Sequence, residues 1–551
     1  MIGVNVMRKN ILRKIALALT LPVVAVSFVS CAEADGGSYH TDNYTKKSDA
    51  SVAEYAEEYE ANADTEEYVV PDAPAPDEEY HGYEESGFKD PKTEPLSTFS
   101  ADVDTASYTN VRRLIEDGVE VDPDAVRIEE FINFFDYKYA DPEDGKVFGE
   151  YVELADCPWN KDTKLMMLGV QGKRLDDKEV QPSNIVFLID SSGSMSSYNK
   201  LPLVQSAFSM LAENLTENDR ISIVTYAGSS ETVLAGVNGS EKDTILEALY
   251  GISASGGTNG EGGIETAYEL AEENFIKGGN NRIILATDGD LNIGKSSESE
   301  LTRLIEKKRD DGIYLSVLGF GTGNYKDNKL EALADNGNGN YSYIDSIEEA
   351  RRVLVEEMGG TLYTIAKDVK IQVEFNPAQV KSYRLIGYDN RLMEAEDFYD
   401  DSKDAGEVGA GHSVTALYEV ELTGDSADGT YHGVELEFAD EHKDAAAESK
   451  PANNDSRKEL IKFSVAYKDI DTDEEVYSSN LYGMERYSEN PTHGIQLAGA
   501  VAEFGMLLKD SQYKGDSSFD YIIKTADSIG GSNEKIAELA ELAETVSKWL
   551  T

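Results

Sequence analysis

The run Asp190-Ser191-Ser192-Gly193-Ser194 closes an apolar stretch, residues 184–189, with a carboxylate and spaced hydroxyls. Oxygen ligands gathered on a tight turn suit a hard divalent cation such as Mg²⁺, and open α/β sheets place their ligands at the C-terminal ends of strands. The same residues also suit an Asp/Ser turn that caps a following helix, so the motif takes its meaning from its surroundings. Two distant segments supply those surroundings. Ser255-Gly256-Gly257-Thr258 precedes a helical pattern, and the apolar run 282–287 ends in Asp288-Gly289-Asp290. Three strand-end segments can therefore converge on one ion. Soft or redox metals would call for Cys and His. None of the six histidines lies between His81 and His412, which counts against zinc and leaves Ser192 and Ser194 without a nearby histidine base.

On these residues the chain resembles the von Willebrand factor type A (VWA) family, whose metal-ion-dependent adhesion site combines an Asp-x-Ser-x-Ser strand end with a distant Thr and a distant Asp. The resemblance implies that Asp190, Ser192, Ser194, Thr258 and Asp288 are the metal ligands, some directly and some through water. It implies Mg²⁺, or Mn²⁺ or Ca²⁺, as the ion, and a protein partner that offers an Asp or Glu to it. Thr258 would respond to ligand binding and Asp288 would orient bound waters. Further segments, Ser97-Thr98-Phe99-Ser100-Ala101-Asp102, Cys157-Pro158-Trp159-Asn160, Gly319-Phe320-Gly321-Thr322-Gly323 and Gly337-Asn338-Gly339-Asn340-Tyr341, resemble a bacterial VWA domain lipoprotein family from about residue 96 nearly to the C-terminus.

A dinucleotide site and an EF-hand find no support in the spacing. No Gly-x-Gly-x-x-Gly follows the first strand, so a dinucleotide site is not expected. Gly319 to Gly323 reads as a turn that needs positive φ. Asp288-Gly289-Asp290-Leu291-Asn292 begins like a calcium loop, but its sixth residue is Ile293 and its twelfth is Ser299, which excludes an EF-hand.

Arg8, Lys9, Arg13 and Lys14 lead into an apolar stretch, 15–29, that closes at Phe28-Val29-Ser30-Cys31. This pattern reads as a lipoprotein signal peptide over residues 1–30 with lipid on Cys31. The stretch is shorter than the roughly 20 residues a spanning helix needs. The expected protein is exported and lipid-anchored to the membrane, exposed on its extracytoplasmic face. With Cys31 acylated, Cys157 is left alone and no internal disulfide can form. The formal net charge of −55 argues against nucleic acid and against basic-patch binding to anionic lipid. Between residues 32 and 95 there are 19 acidic and four basic side chains without periodic apolar residues. Residues 31–95 are therefore expected to form a disordered acidic tether.

Beyond the tether, the patterning predicts an N-terminal helical and β segment over 96–183, a VWA domain over 184–360, a β-sandwich region over 361–480 and a helical C-terminal segment over 481–551. Strands are predicted at 185–189, 221–226, 283–287 and 314–319, alternating with amphipathic helices, as in a doubly wound, mainly parallel α/β sheet of VWA or Rossmann-like type. The alternating stretches on either side, 146–156, 165–172, 369–375, 413–422, 433–438 and 459–467, are too few in each group to fold alone. They are expected to pair across the α/β domain as a discontinuous β-sandwich into which that domain is inserted. The leading functional expectation is adhesion without catalysis. The alternatives are a metal-assisted hydrolase with Glu261 or Asp290 as base, and a scaffold whose ion only stabilises the fold.

Overall fold

The computed structural model describes residues 78–549, apart from 102–103, 144, 176–179, 290–297, 324, 358–359, 361, 401, 424–458, 471 and 473. The expected signal peptide, Cys31, most of the tether and the expected strand at 433–438 lie outside the described residues.

The chain opens with β1 (Leu96–Ser100), α1 (Ala106–Glu116), α2 (Ile128–Asn133) and the hairpin β2 (Phe148–Asp156) and β3 (Lys164–Gly172). An α/β domain follows: β4 (Ser183–Asp190), α3 (Leu201–Asn214), β5 (Arg220–Tyr226), β6 (Ser230–Asn238), α4 (Lys242–Tyr250), α5 (Gly260–Glu273), β7 (Asn280–Thr287), α6 (Glu298–Asp310), β8 (Tyr314–Phe320), α7 (Asp327–Asn336), β9 (Tyr341–Ile344) and α8 (Ile347–Arg351) with a π-helical turn, Arg352–Glu356. The chain then returns through β10 (Thr364–Phe375), β11 (Val380–Ile386), β12 (Leu392–Met393), β13 (Gly406–Gly409), β14 (Ser413–Leu422), β15 (Glu459–Asp469) and β16 (Glu475–Gly483). It ends in α9 (His493–Leu508), α10 (Phe519–Gly530) and α11 (Glu534–Trp549).

The central sheet has the order β6-β5-β4-β7-β8-β9, parallel except for the β5–β6 pair. Its strands read as continuous apolar runs because both faces are covered. In β4, Ile185, Phe187 and Ile189 pack toward α3, where Phe187 stacks on Phe208 at 4.1 Å. Val186 and Leu188 face the opposite core, which contains Ile264 and Tyr268 of α5 and Leu330 of α7. This is the doubly wound domain. Two of its strands are additions to the four expected: β6 is a partly exposed edge, and β9 spans four residues.

The flanking strands pair across the inserted domain. One sheet runs β12-β1-β10-β15-β16, with β13 also on β10, and the other runs β11-β14-β3-β2. Phe99 of β1 lies against Ile371 of β10, and Leu168 of β3 against Ala416 of β14. The period-2 alternation of β3 divides its side chains between two cores. Met166, Leu168 and Val170 fill the sandwich. Leu165 and Met167 face a helical layer that contains α1, α2 and the three C-terminal helices. Corrections fall on boundaries. In the N-terminal segment a 3₁₀ turn, Pro123–Ala125, precedes the short α2.

Residues 78–95, assigned above to the tether, instead lie on the folded body. The Glu79 amide donates to Tyr325 O at 3.1 Å, and Lys89 and Tyr383 exchange backbone hydrogen bonds of 2.8 and 3.1 Å. Glu78 pairs with Arg113 at 3.0 Å and accepts from the Gly323 amide at 3.1 Å. Acidic composition suggested a solvated segment because the cation and amide that neutralise Glu78 are distant in sequence. Among the described residues no helix is long and apolar enough to cross a membrane.

Candidate metal-ion site at the ends of the central strands

β4 and β7 are neighbours at the centre of the sheet, with Ile189 opposite Ala286, so Asp190 and Thr287 emerge side by side at the C-terminal edge. Asp190 is wholly buried. Its Oδ1 accepts from the Ser192 amide at 2.9 Å and its Oδ2 from the Thr287 hydroxyl at 3.3 Å. The turn beyond it is held by the Ser191 amide on Tyr226 O (2.9 Å) and by Met195, whose buried side chain anchors the short 3₁₀ turn Gly193–Ser196. This fold of the turn brings the Ser192 and Ser194 hydroxyls to 2.9 Å from each other. Ser192 is buried and Ser194 exposed, so the oxygen set runs from a buried floor to an open mouth.

The loop before α5 is laid on this turn by two backbone hydrogen bonds, Ser255 N to Ser191 O (2.8 Å) and Gly193 N to Gly256 O (3.1 Å). Gly256 adopts φ +81°, which favours glycine. A Cβ on Gly193 would lie 3.3 Å from Gly256 O, so the two backbones meet closely. Half-buried Thr258 follows two residues later. Asp288, buried, directly follows Thr287, and its charge acts on Asp190. The structure thus gathers Asp190, Ser192, Ser194 and Asp288 at one edge and brings the loop that carries Thr258 onto the same turn. Of the two candidate bases for a hydrolase, Glu261 lies in the first turn of α5 and Asp290 falls outside the described residues.

Sequence reasoning missed Thr287 and Lys200. Thr287 looked like the last residue of a strand, yet its hydroxyl both donates to Asp190 and accepts from the Gly289 amide at 3.3 Å. Lys200, at the N-cap of α3, is buried, and its Nζ pairs with Asp288 Oδ2 at 2.9 Å. The glycine cluster after β8 seats it. Gly321 has φ +72°, and a Cβ there would come within 2.4 Å of Lys200 Cγ and Cε. The signal available in the sequence was a lone Lys immediately before an apolar helix start.

Burial pushes the Asp190 carboxyl up to about 6; the neighbouring Asp288 charge adds to the rise, while the Ser192 and Thr287 hydrogen bonds oppose it. The site's ammonium is engaged with Asp288, so Asp190 is met by hydroxyl and amide donors. A buried carboxylate with neighbouring hydroxyls fits a small, hard divalent ion. Among the described residues no three His, Cys, Asp or Glu side chains are grouped to hold a metal, so the fit rests on hydroxyl oxygens as much as on carboxylates.

Comparison with known proteins agrees with this architecture. The family model "von Willebrand factor type A domain" matches residues 184–356, "von Willebrand factor" matches 74–167, and "Uncharacterized protein YfbK, C-terminal" matches 360–549. The Escherichia coli (strain K12) protein described as "Uncharacterized protein YfbK" is 39% identical over 480 residues, covering 85% of this chain and 81% of its own length. Inter-alpha-trypsin inhibitor heavy chain H4 of Bos taurus is 28% identical over 154 residues, which cover 26% of this chain and 17% of that protein. The solved structure of a von Willebrand factor type A protein from Catenulispora acidiphila covers 72% of this chain and 89% of its own, at 15% identity and a TM-score of 0.40. With a VWA domain flanked on both sides by matched segments, and a relative that spans most of both chains, the protein belongs to the bacterial VWA-domain family that includes YfbK.

Proposed function

We propose that this chain is an exported, lipid-anchored adhesion protein that binds a protein partner through a divalent cation held by Asp190, Ser192, Ser194, Thr258 and Asp288. The observation that carries the reading is the gradient of burial across the oxygen set, from the wholly buried Asp190 to the exposed Ser194. Such a site fixes an ion from below and leaves its outer face to water. When bound, Mg²⁺, Mn²⁺ or Ca²⁺ supplies a local positive charge to which a partner's Asp or Glu carboxylate can bind.

The protein's own residues prepare that encounter. Asp190 and Ser192 form the floor, Ser194 stands at the mouth, Asp288 supplies a second carboxylate, and the backbone bonds from Ser255 and Gly193 hold the Thr258 loop in place. Tyr198, 74% exposed a few residues beyond Ser194, offers an aromatic surface of the kind enriched at binding hot spots. VWA domains in general serve protein interaction and adhesion, which favours binding over turnover.

Ser194→Ala and Thr258→Ala are each expected to weaken Mn²⁺ binding about 10- to 100-fold, as loss of an outer or supporting ligand commonly does. Electron paramagnetic resonance of free Mn²⁺ over the full chain reads this directly. Affinities equal to wild type in both variants would remove these hydroxyls from the site. For the anchor, Cys31→Ser is expected to shift the protein from the membrane fraction to the soluble fraction of cells and to abolish labelled fatty-acid incorporation. Unchanged labelling would refute lipidation at Cys31.

A further inference from the structure

We infer that Lys200 is the built-in counter-ion of the metal-ion site, a residue that lowers cation affinity in order to leave the loaded site electropositive toward a carboxylate ligand. The inference rests on the reading of the site given above and assigns to Lys200 a role in ligand selectivity.

Lys200 is not a surface lysine that happens to fall near an acid. Its side chain is 10% exposed and that of its partner Asp288 is 1% exposed. Its stem is threaded against Gly321, a position where any Cβ would collide with it and where φ is +72°. Placing an ammonium so deep costs desolvation free energy, which the fold accepts only with a carboxylate opposite. The carboxylate chosen is Asp288, not Asp190, although both stand at the same strand ends.

The consequence follows from charge. Two carboxylates alone would neutralise a divalent ion, and a neutral loaded site has little to offer an anionic ligand. With the Lys200 ammonium held at Asp288, the same site keeps one net positive charge after loading. That local charge matters in a protein of net charge −55, whose long-range field repels acidic partners until salt screens it at about 8–10 Å. The ammonium must also compete with the incoming ion for Asp288, so the same arrangement weakens cation binding.

Two opposed effects are therefore expected from Lys200→Met, which keeps most of the stem and removes the charge. Mn²⁺ affinity of the full chain should rise by about tenfold or more, because a neighbouring ammonium repels a divalent ion. Affinity of the Mn²⁺-loaded protein for acetate, followed by paramagnetic relaxation of the acetate methyl protons, should fall by about threefold or more. Lys200→Arg, which retains the charge, should stay near wild type in both measurements.

If wild type binds no Mn²⁺, the metal-site reading fails and this inference with it. If wild type binds Mn²⁺ and acetate but Lys200→Met matches it in both, Lys200 only packs the turn and the inference alone is overturned. If Lys200→Met loses Mn²⁺ while Lys200→Arg retains it, the ammonium serves to hold Asp288 in position, which also overturns it.

Discussion

Replacing Asp190 by Asn is expected to make the chelator-treated protein more stable at pH 8 and, in the same variant, to erase stabilisation by Mg²⁺. The first effect follows from the buried carboxylate. Its pKa is pushed up to about 6 in the folded protein against about 3.9 in an unfolded chain, so folding favours the protonated form. A carboxyl raised in this way contributes stability that is complete below about pH 4 and is lost as pH rises through about 6. At pH 8, without an ion, wild type lacks that contribution, which amounts to about 2–3 kcal/mol. Asn has the same shape and can still accept from the Ser192 amide, but it carries no charge to desolvate. The second effect follows because the ion loses its central anionic ligand, and binding to the native state alone is what stabilises by mass action. Calorimetric or denaturant unfolding of both proteins, with chelator and with excess Mg²⁺, at pH 5 and pH 8, separates the two effects. A variant that responds to Mg²⁺ as wild type does would remove Asp190 from the ion site. A chelated variant no more stable than wild type at pH 8 would show that the hydroxyl and amide donors around Asp190 already offset the cost of burying its charge.

A functional site that costs stability when empty explains why the sequence disclosed it. Asp190 closes an eight-residue buried strand and Ser192 and Ser194 follow at alternate positions of the turn, and a carboxylate at the end of such a strand is hard to justify by packing alone. Thr258 and Asp288 were legible for the same reason, each at a glycine-rich break beside an apolar or helical run. Lys200 was not legible. A lysine at a helix start reads as solvated, and its burial depends on Gly321, more than a hundred residues away, which leaves room for its stem. The acidic stretch 78–95 failed in the same direction. Glu78 meets Arg113 and the Gly323 amide, the latter 245 positions distant, so charge counting classed a packed segment as tether. Period-2 alternation revealed the sandwich strands and their pairing across the insertion, because β3 must place Leu168 and Met167 on opposite faces. It did not reveal β11, β13 or β16. β16 is an edge strand with none of its first seven residues buried, and β13 is four residues long. In each case the information missing from the sequence was the identity of a distant partner.

The discontinuous scaffold has its own buried charge, and its removal should be the most damaging single change outside the α/β domain. Glu419 of β14 accepts from Trp159 Nε1 (3.1 Å), Asn160 Nδ2 (2.7 Å) and the Thr163 hydroxyl (2.9 Å), and it pairs with Arg384 of β11 at 3.2 Å. Glu419 and Arg384 are each about 1% exposed. The three neutral donors come from the turn between β2 and β3, before the inserted domain, whereas the ion pair comes from strands after it. Glu419 therefore joins the two halves of the scaffold, which gives a structural reason for the segment Cys157-Pro158-Trp159-Asn160. Arg384 Nε has no hydrogen-bond partner among the described residues, and its guanidinium lies over the Tyr513 ring at 4.4 Å. Glu419→Ala strands that cation in the interior and leaves the Trp159 and Asn160 donors unanswered, for an expected loss of about 3–5 kcal/mol. The double variant Glu419→Leu/Arg384→Met removes both charges and fills similar volume, so it should recover part of the loss and show coupling of the same sign in a mutant cycle. Because the pair lies on the helix-facing side of the β11-β14-β3-β2 sheet, outside the α/β domain, Mn²⁺ affinity should be unchanged in whatever fraction of Glu419→Ala remains folded. A single variant within about 0.5 kcal/mol of wild type, or a double variant less stable than the single, would show that Glu419 is not the tie between the halves, and the pairing of β3 with β14 would then have to carry that connection by itself.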